Sequence, residues 1–196
     1  MFHDIPDEVI ARMRVLEALD AEQRQLNVAT HERLCSVPPE TGRFLAILAA
    51  AAPKGAMIEI GASGGYSTLW LTRAALVRKQ RVQSFEISPA KLAIARDTFA
   101  RAGVIDLVQI TQGDVREFLA DYEAVAFCFM DHEKTQYLEC YEALLPNLVK
   151  GGILAADNIE SHAEALMPFV AHVMADPRVD AQVIPIGKGV LVARRN

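Results

Sequence analysis

The sequence of 196 residues predicts an α/β fold: a single doubly wound, mainly parallel sheet of seven strands, with helices on both faces and a C-terminal antiparallel hairpin. Two observations predict it. From residue 56 onward, short apolar runs alternate with helical patterns, which is typical of parallel strands joined by crossover helices. Only the segment 185–189 separates the last two apolar runs, and a connection this short predicts a hairpin.

Glycines, prolines and the period of the apolar residues set the limits of each element. Strands are predicted at residues 56–60, 81–86, 107–111, 124–130, 153–156, 179–184 and 190–193. Helices are predicted at residues 7–25, 41–52, from 66 onward, 89–102, 115–120, 134–149 and 163–175. Ser88 and Pro89 illustrate the signals, because serine is a common helix N-cap and proline fits the first helical position.

The chain contains no internal repeat, low-complexity tract or linker, so we expect one domain over residues 1–196. Residues 1–52 are predicted to form an N-terminal helical cap, and residues 56–196 the α/β core. Three roles are open for the first helix, at residues 7–25. It covers the core, which is the default, or the mouth of a site, or a second copy of the chain in a homodimer.

Composition and charge exclude several classes of partner. The net charge is -5 with no basic block, so nucleic acid is not an expected partner. No apolar run reaches the length that spans a membrane, and the first residues lack the features of a signal peptide. Cys35, Cys128 and Cys140 have no CxxC spacing, which argues against a disulfide framework or a thiolate zinc site. We therefore expect a protein of the reducing cytoplasm.

The stretch AMIEIGASGGYSTLWL, residues 56–71, joins a buried strand to a helix through three glycines. Such a turn lets the backbone approach a ligand closely and offers free N–H groups at the start of the helix. The dinucleotide pattern G-x-G-x-x-G fails here, since Ser63 and Tyr66 stand at its second and third glycine positions. A nicotinamide cofactor is thus disfavoured, while a different nucleotide-like cofactor and an ordinary βα turn both stay open.

Ligands of such sheets bind at the carboxyl ends of the strands, so the residues that follow each strand are candidates for a site. Glu86 ends the second strand, where a carboxylate accepts two hydroxyl hydrogen bonds from a ribose. Solvation of a strand end is the plainer alternative. Asp114 follows the third strand and either accepts the amino group of a base or caps the next helix.

The ends of the fourth and fifth strands carry Asp131, Asp157 and Asn158. Carboxylate and amide oxygens at neighbouring strand ends are suited to Mg²⁺, which keeps places for water and substrate. Each of these residues taken singly is more often a helix cap, but their joint occurrence with Lys134 favours a site. His132 and His162 lack the spacing of a zinc motif.

These motifs resemble those of the class I S-adenosylmethionine (SAM) methyltransferases, and in detail those of the metal-dependent catechol and caffeoyl-CoA O-methyltransferase group. The matching patterns are E-I-G-x-x-x-G-Y-S-T from Glu59, D-x-x-K-x-x-Y from Asp131, G-G-I-L-x-x-D-N from Gly151 and P-I-G-x-G from Pro185. The resemblance covers roughly residues 35–194, and residues 36–42 resemble the group's entry segment. It implies a Rossmann-like fold.

The resemblance also implies roles for individual residues. Asp131, Asp157 and Asn158 would bind Mg²⁺ or another divalent cation, and Lys134 would be the catalytic base beside Asp131. Glu86 would hold the ribose of SAM, and Glu59 would lie near its amino group. The full set expected around the cofactor is Glu59, Gly61, Ser63, Gly65, Tyr66, Ser67, Glu86, Ile87, Gly113, Asp114, Val115, Asp131 and His132.

The expected reaction is transfer of a methyl group from SAM to a hydroxyl oxygen of a small acceptor with vicinal oxygens, assisted by the metal. The sequence departs from the group at Glu133, where catechol enzymes carry tryptophan, and at residues 159–162, where aromatic residues are missing. The insertion that contacts CoA in the plant enzymes is also absent. The alternatives are an NAD-type oxidoreductase and a SAM-binding protein without catalysis.

Overall fold

A seven-stranded sheet organises the chain, and the computed structural model describes all 196 residues. Its strands are β1 (Ala56–Ile60), β2 (Val82–Glu86), β3 (Val108–Gln112), β4 (Val125–Met130), β5 (Leu148–Ala156), β6 (Val179–Ile184) and β7 (Val190–Arg195). The spatial order is β3-β2-β1-β4-β5-β7-β6. Strands β1 to β5 pair in parallel, whereas β7 is antiparallel to both β5 and β6. The predicted parallel sheet and its terminal hairpin are therefore confirmed.

Six helices cover the two faces of this sheet. They are α1 (Asp7–Gln25), α2 (Pro39–Ala51), α3 (Tyr66–Arg78), α4 (Pro89–Arg101), α5 (Tyr137–Leu144) and α6 (Ala163–Ala175). Side chains alternate along each strand, so Met57 packs with α1 to α4 on one face, while Ile58 packs with α5 and α6 on the other. None of the helices is both long enough and apolar enough to cross a membrane.

Helix α1 lies at residues 7–25 as predicted, and its buried side chains Val9, Met13 and Leu16 join the core cluster on one face of the sheet. The default role of α1, covering the core, is therefore confirmed. The helix also reaches the glycine turn, because Glu17 accepts a 2.5 Å hydrogen bond from the hydroxyl of Tyr66 at the start of α3.

The sequence prediction is wrong around the fifth strand. Instead of one helix over residues 134–149, the chain forms a 3₁₀ turn, the short helix α5 and a second 3₁₀ turn, Leu145–Asn147. Pro146 lacks the N–H that a longer helix would need. Strand β5 consequently begins at Leu148, and its pairing with β4 shifts register so that Val125 pairs with Leu148 and Phe127 with Ile153.

Two other helical segments also differ from the prediction. Helix α2 begins at Pro39 rather than residue 41, because proline occupies the first helical position at no cost. Residues 115–120 form no α-helix but contribute to two 3₁₀ turns, Val115–Glu117 and Leu119–Asp121. Each turn is too short for the apolar period to distinguish it from a helix.

A buried carboxylate joins β1, β2 and α3. Glu59 is fully buried, and its oxygens accept hydrogen bonds from the hydroxyls of Ser67 (2.6 Å), Thr68 (2.5 Å) and Ser84 (2.5 Å). Burial raises the pKa of Glu59, and the three hydroxyl donors oppose that rise only in part. The partner that a buried charged group requires is thus supplied by three neutral donors rather than by a cation.

We predict that Glu59→Gln changes how stability depends on pH. Because the folded state of the wild type holds the Glu59 proton more tightly than the unfolded chain, its stability falls as pH rises from about 4.3 through the raised pKa. Glutamine has no such proton. Urea unfolding of both proteins between pH 4.5 and 8 is expected to show a stability difference that shifts in favour of the variant with rising pH; parallel curves would contradict this.

Candidate active site

A cavity of about 680 Å³ opens at the carboxyl ends of β1, β2 and β4. Strand order reverses at this place, because the chain runs outward from β1 through β2 to β3 and then returns to β4 on the other side of β1. The carboxyl edge at such a reversal is where ligands of doubly wound sheets bind. The glycine turn, the ends of β2 and β4 and the segment 33–37 line the cavity.

The glycine turn after β1 adopts backbone conformations that favour glycine. Gly61 has φ +98°, and a Cβ at this position would collide with the backbone carbonyl of Asp131. Gly65 has φ +89° and precedes α3 directly. Ser63 is left-handed as well, and its N–H donates a 2.8 Å hydrogen bond to Glu86. The turn is therefore fixed both to the end of β4 and to the end of β2.

Glu86 is largely buried where β2 ends and faces the cavity. One carboxylate oxygen accepts from the N–H of Ser63 and the other from the N–H of Ser88, both at 2.8 Å. Each oxygen retains a lone pair, so the carboxylate, held in one orientation, can accept two further hydrogen bonds. Ile87, which follows it, is 67% exposed and forms part of the cavity rim.

Gly113, Asp114 and Val115 line the cavity beyond Glu86. Asp114 caps the turn that follows it, since its carboxylate accepts a 3.0 Å hydrogen bond from the N–H of Arg116. The guanidinium of Arg116 also binds the carboxylate, and this interaction holds the pKa of Asp114 below its usual range. Of the two roles that the sequence leaves open for Asp114, capping is present in this structure.

The structure brings together the three predicted metal ligands. The amide nitrogen of Asn158 donates hydrogen bonds to Asp131 (2.6 Å) and to Asp157 (3.3 Å). Asn158 has φ +68°, a conformation that asparagine tolerates better than most residues, and its amide oxygen accepts from Ser161. Asp157 is fully buried, and its Oδ1 has no hydrogen-bond partner. Burial and the nearby charge of Asp131 raise the pKa of Asp157.

Lys134 approaches the same cluster from the turn after β4. Its Nζ donates to Asp131 Oδ1 (2.9 Å), to the carbonyl of His132 (2.8 Å) and to the hydroxyl of Tyr137 (3.1 Å). The Tyr137 hydroxyl in turn donates to the carbonyls of Met130 (3.2 Å) and Asp157 (3.3 Å). Tyr137 belongs to the D-x-x-K-x-x-Y motif, but the sequence prediction gave it no role; the structure shows it as a buried support of Lys134.

His132 forms an uncharged part of the cavity wall. Its ring stacks on Tyr137 with centroids 4.9 Å apart, and its Nε2 lies 3.4 Å from the sulfur of Cys140. Burial, reinforced by the charge of Lys134, lowers the pKa of His132 to about 4. The imidazole is therefore neutral near pH 7, and it offers a flat polarisable surface rather than a charge.

The N-terminal connector contributes more to the cavity than the sequence indicates. Residues 33–37, together with Thr30 and His31, line it. The carbonyl of Leu34 accepts a 2.7 Å hydrogen bond from the hydroxyl of Ser63, and the N–H of Leu34 donates to Gln23 of α1 (2.9 Å). Only residues 36–42 resemble a known entry segment, and the rest of this connector has no periodic pattern that would identify it.

Three residues predicted for the site lie behind its wall. Glu59 is enclosed by three hydroxyls and reaches the cavity only through Ser67, which does line it. Gly65 contacts the ring of Phe99 rather than the cavity. Asp157 is screened by Asn158. The other predicted residues line the cavity directly, namely Gly61, Ser63, Tyr66, Ser67, Glu86, Ile87, Gly113, Asp114, Val115, Asp131, His132, Lys134 and Asn158.

Comparison with known proteins assigns this chain to a family. A family model described as O-methyltransferase matches residues 13–196. A catechol O-methyltransferase of Niastella koreensis is 31% identical over 166 residues, which are 76% of this chain and 75% of that protein. A catechol O-methyltransferase of Mycobacterium tuberculosis is 28% identical over 162 residues, or 76% and 73% of the two chains.

Solved structures agree with this assignment. The O-methyltransferase of Bacillus cereus in complex with SAH has a TM-score of 0.78 and 27% identity, over 95% of this chain and 91% of that one. An SAH-bound methyltransferase of Podospora anserina has a TM-score of 0.80 over 98% and 89% of the two chains; at 23% identity it supports the fold alone.

The family resemblance found in the motifs is thereby confirmed, and the match favours an O-methyltransferase over an NAD-type oxidoreductase. The chain belongs to the O-methyltransferase family, whose members transfer a methyl group from SAM to a hydroxyl oxygen.

Proposed function

We propose that this enzyme methylates small acceptors that carry two adjacent oxygens, and that a divalent cation, Mg²⁺ in the simplest case, assists it. One observation carries the proposal. Asp131, Asp157 and Asn158 meet at the ends of β4 and β5, and Asp131 and Asn158 line the cavity that Glu86 and the glycine turn also line. The names of the two catechol O-methyltransferases among its relatives support it.

The donor set fits a hard divalent cation. Two carboxylates lie beside one amide, and the unpartnered Oδ1 of Asp157 is the kind of buried polar atom that costs free energy unless something binds it. With a divalent cation bound, Asp157 Oδ1 would gain that partner, and the repulsion between Asp131 and Asp157 would be offset. Asn158, which now presents its amide nitrogen to both carboxylates, would ligate through its oxygen. When bound, the metal supplies Lewis-acid chemistry that makes an acceptor hydroxyl more acidic.

Glu86 is the residue we assign to the ribose of SAM, because its carboxylate is fixed by two backbone N–H groups and still has free acceptor capacity. The segment 113–115 would contact the adenine, and the neutral ring of His132 would provide an uncharged wall beside it. Gly61 and Ser67 would border the methionine end, with Glu59 acting through Ser67. These assignments follow the family resemblance, and all of these residues except Glu59 line the cavity.

The chemistry then depends mainly on position. The sulfonium methyl group is already activated, so the protein has to hold it in line with the attacking oxygen. We assign proton acceptance to Lys134, whose Nζ lies 2.9 Å from Asp131 and whose orientation Tyr137 helps to fix. Glu133 lines the cavity where catechol enzymes carry tryptophan, and this leaves the acceptor end open and polar. We therefore expect broad use of several catechol-like acceptors.

We further propose that residues 1–196 act as one methyltransferase domain in which 1–52 cap the α/β core. A cytoplasmic location fits the free thiols of Cys35, Cys128 and Cys140. We also predict that the enzyme forms a homodimer. Sedimentation equilibrium would measure its oligomeric state directly.

Replacing Glu86 by alanine is expected to weaken SAM binding by roughly 2–3 kcal/mol, because two charge-assisted hydrogen bonds are lost. Isothermal titration calorimetry measures this directly. Glu164→Ala, which removes a carboxylate from α6 outside the cavity, is the matched control. Urea unfolding of each variant checks that the fold survives. SAM affinity within twofold of wild type in a folded Glu86→Ala protein would overturn the assignment.

Removing the metal is expected to stop methyl transfer and to leave SAM binding nearly unchanged. Excess EDTA, Asp131→Ala and Asp157→Asn should each reduce turnover by at least about a hundredfold, since each removes the cation or one of its charged ligands. Calorimetric SAM affinity should stay within about threefold. Asp180→Asn on strand β6 is the matched control. Full turnover in EDTA would refute the role of the metal, and loss of SAM binding in the variants would place these residues at the cofactor instead.

A further inference from the structure

Lys188 lies at the tip of the β6–β7 hairpin, between two glycines that hold the turn tightly against its surroundings. Gly187 has φ +59°, and a Cβ there would collide with the hydroxyl of Thr41 at the start of α2. Gly189 has φ +81°, and a Cβ there would lie 2.8 Å from the backbone nitrogen of Glu160. The position of the turn is therefore fixed from both sides.

Backbone hydrogen bonds tie this turn to the loop that begins at Asn158. The N–H groups of Glu160 and Ser161 donate to the carbonyl of Lys188, at 2.9 and 3.3 Å, and the N–H of Ile159 donates to the carbonyl of Gly189 at 3.0 Å. The backbone of Lys188 is thus carried by the same loop that carries the proposed metal ligand. The backbone of Lys188 therefore has a fixed position relative to Asn158.

The side chain of Lys188 is half-buried and lines the cavity, yet its ammonium group makes neither an ion pair nor a hydrogen bond within the protein. Lys134 differs, since its ammonium group has three acceptors. Glu133 also lines the cavity but is exposed and forms no ion pair with Lys188. Lys188 is thus a cationic group at the acceptor end of the cavity with its binding capacity free.

The charges around the site indicate which kind of acceptor the ammonium group of Lys188 would attract. In the proposed enzyme the two carboxylates of Asp131 and Asp157 are balanced by the divalent cation. The ammonium group of Lys188 then remains as a cation at the acceptor end of the cavity, which the exposed carboxylate of Glu133 also lines. A neutral acceptor leaves Lys188 without a partner, whereas an acceptor with an anionic substituent pairs with it in a site that excludes part of the solvent.

We propose that Lys188 selects acceptors that carry a carboxylate in addition to their adjacent oxygens. The inference rests on the proposed function, because it assumes that the acceptor lies between Lys188 and the metal cluster. Lys188 is then a specificity-determining residue: it binds a part of the acceptor that does not react, and it orients the reacting hydroxyl from the far side of the molecule. An ammonium–carboxylate ion pair in a partly solvated cavity is expected to raise kcat/KM about fivefold for an acceptor that forms it.

Two probes separate this effect from the reaction itself. The compounds 3,4-dihydroxybenzoate and its methyl ester have the same adjacent hydroxyls, but only the first carries a negative charge. The ratio of their kcat/KM values is measured with SAM and Mg²⁺ for wild type, Lys188→Met, Lys188→Arg and Lys150→Met. Lys150 is an exposed lysine outside the cavity. Comparing ratios between proteins cancels the different acidity of the two phenols.

The acid-to-ester ratio is expected to fall about fivefold in Lys188→Met and to stay within twofold of wild type in Lys188→Arg and Lys150→Met. Turnover of the ester itself should change less than twofold in Lys188→Met. An unchanged ratio in that variant, or an equal loss on both compounds, overturns the inference while turnover of the ester by wild type still supports the proposed function. If wild type methylates neither compound, both proposals fail.

Discussion

The carboxyl edge of the sheet is held by a row of backbone hydrogen bonds that continues past the strands themselves. The N–H of Gly61 donates to the carbonyl of Phe85, that of Asp131 to Ile60, and that of Asp157 to Met130. Each bond fixes the first residue after one strand against the last residues of its neighbour. The glycine turn and both acidic residues consequently occupy one line, and their spacing is set by the distance between strands. Gly61 is required at this edge because a side chain there would strike the backbone of Asp131.

Two buried carboxylates, one in β1 and one just after β5 on the other side of β4, show how the same edge separates stability from function. Glu59 lies inside β1 and has three hydroxyl donors, so the hydrogen-bonding needs of both its oxygens are met by the fold alone. Asp157 lies just beyond β5, equally buried, with one oxygen that nothing in the protein binds. A buried carboxylate oxygen without a partner, in a cluster that holds a second carboxylate, is suited to a ligand from outside the chain. Burial raises the pKa of both residues, but only Asp157 adjoins a second carboxylate that a cation can share.

The features of the molecule that depend on local sequence patterns were predicted correctly. Five apolar strands and their end residues predicted the sheet and placed Glu86, Asp131 and Asn158 on one cavity. The sequence prediction failed where long-range packing decides, as at β5, where pairing with β4 extends the strand back to Leu148 past two glycines. It did not identify residues 33–35 of the connector as part of the site, because the place of this segment over the glycine turn depends on the hydrogen bonds of Leu34 with Ser63 and Gln23 rather than on any period. The packing of the hairpin tip against residues 159–161 and the free ammonium of Lys188 likewise become visible only in three dimensions.

The central claim is that two adjacent acceptor oxygens bind one metal ion held by Asp131, Asp157 and Asn158. The most direct measurement compares initial rates on catechol and on phenol at saturating SAM, each with Mg²⁺ and with excess EDTA. Chelation predicts that catechol is methylated at least about a hundredfold faster than phenol with Mg²⁺, because a single hydroxyl lacks the second anchor that fixes the reacting oxygen. The difference should vanish in EDTA. Equal rates on the two compounds in the presence of Mg²⁺ would contradict the account.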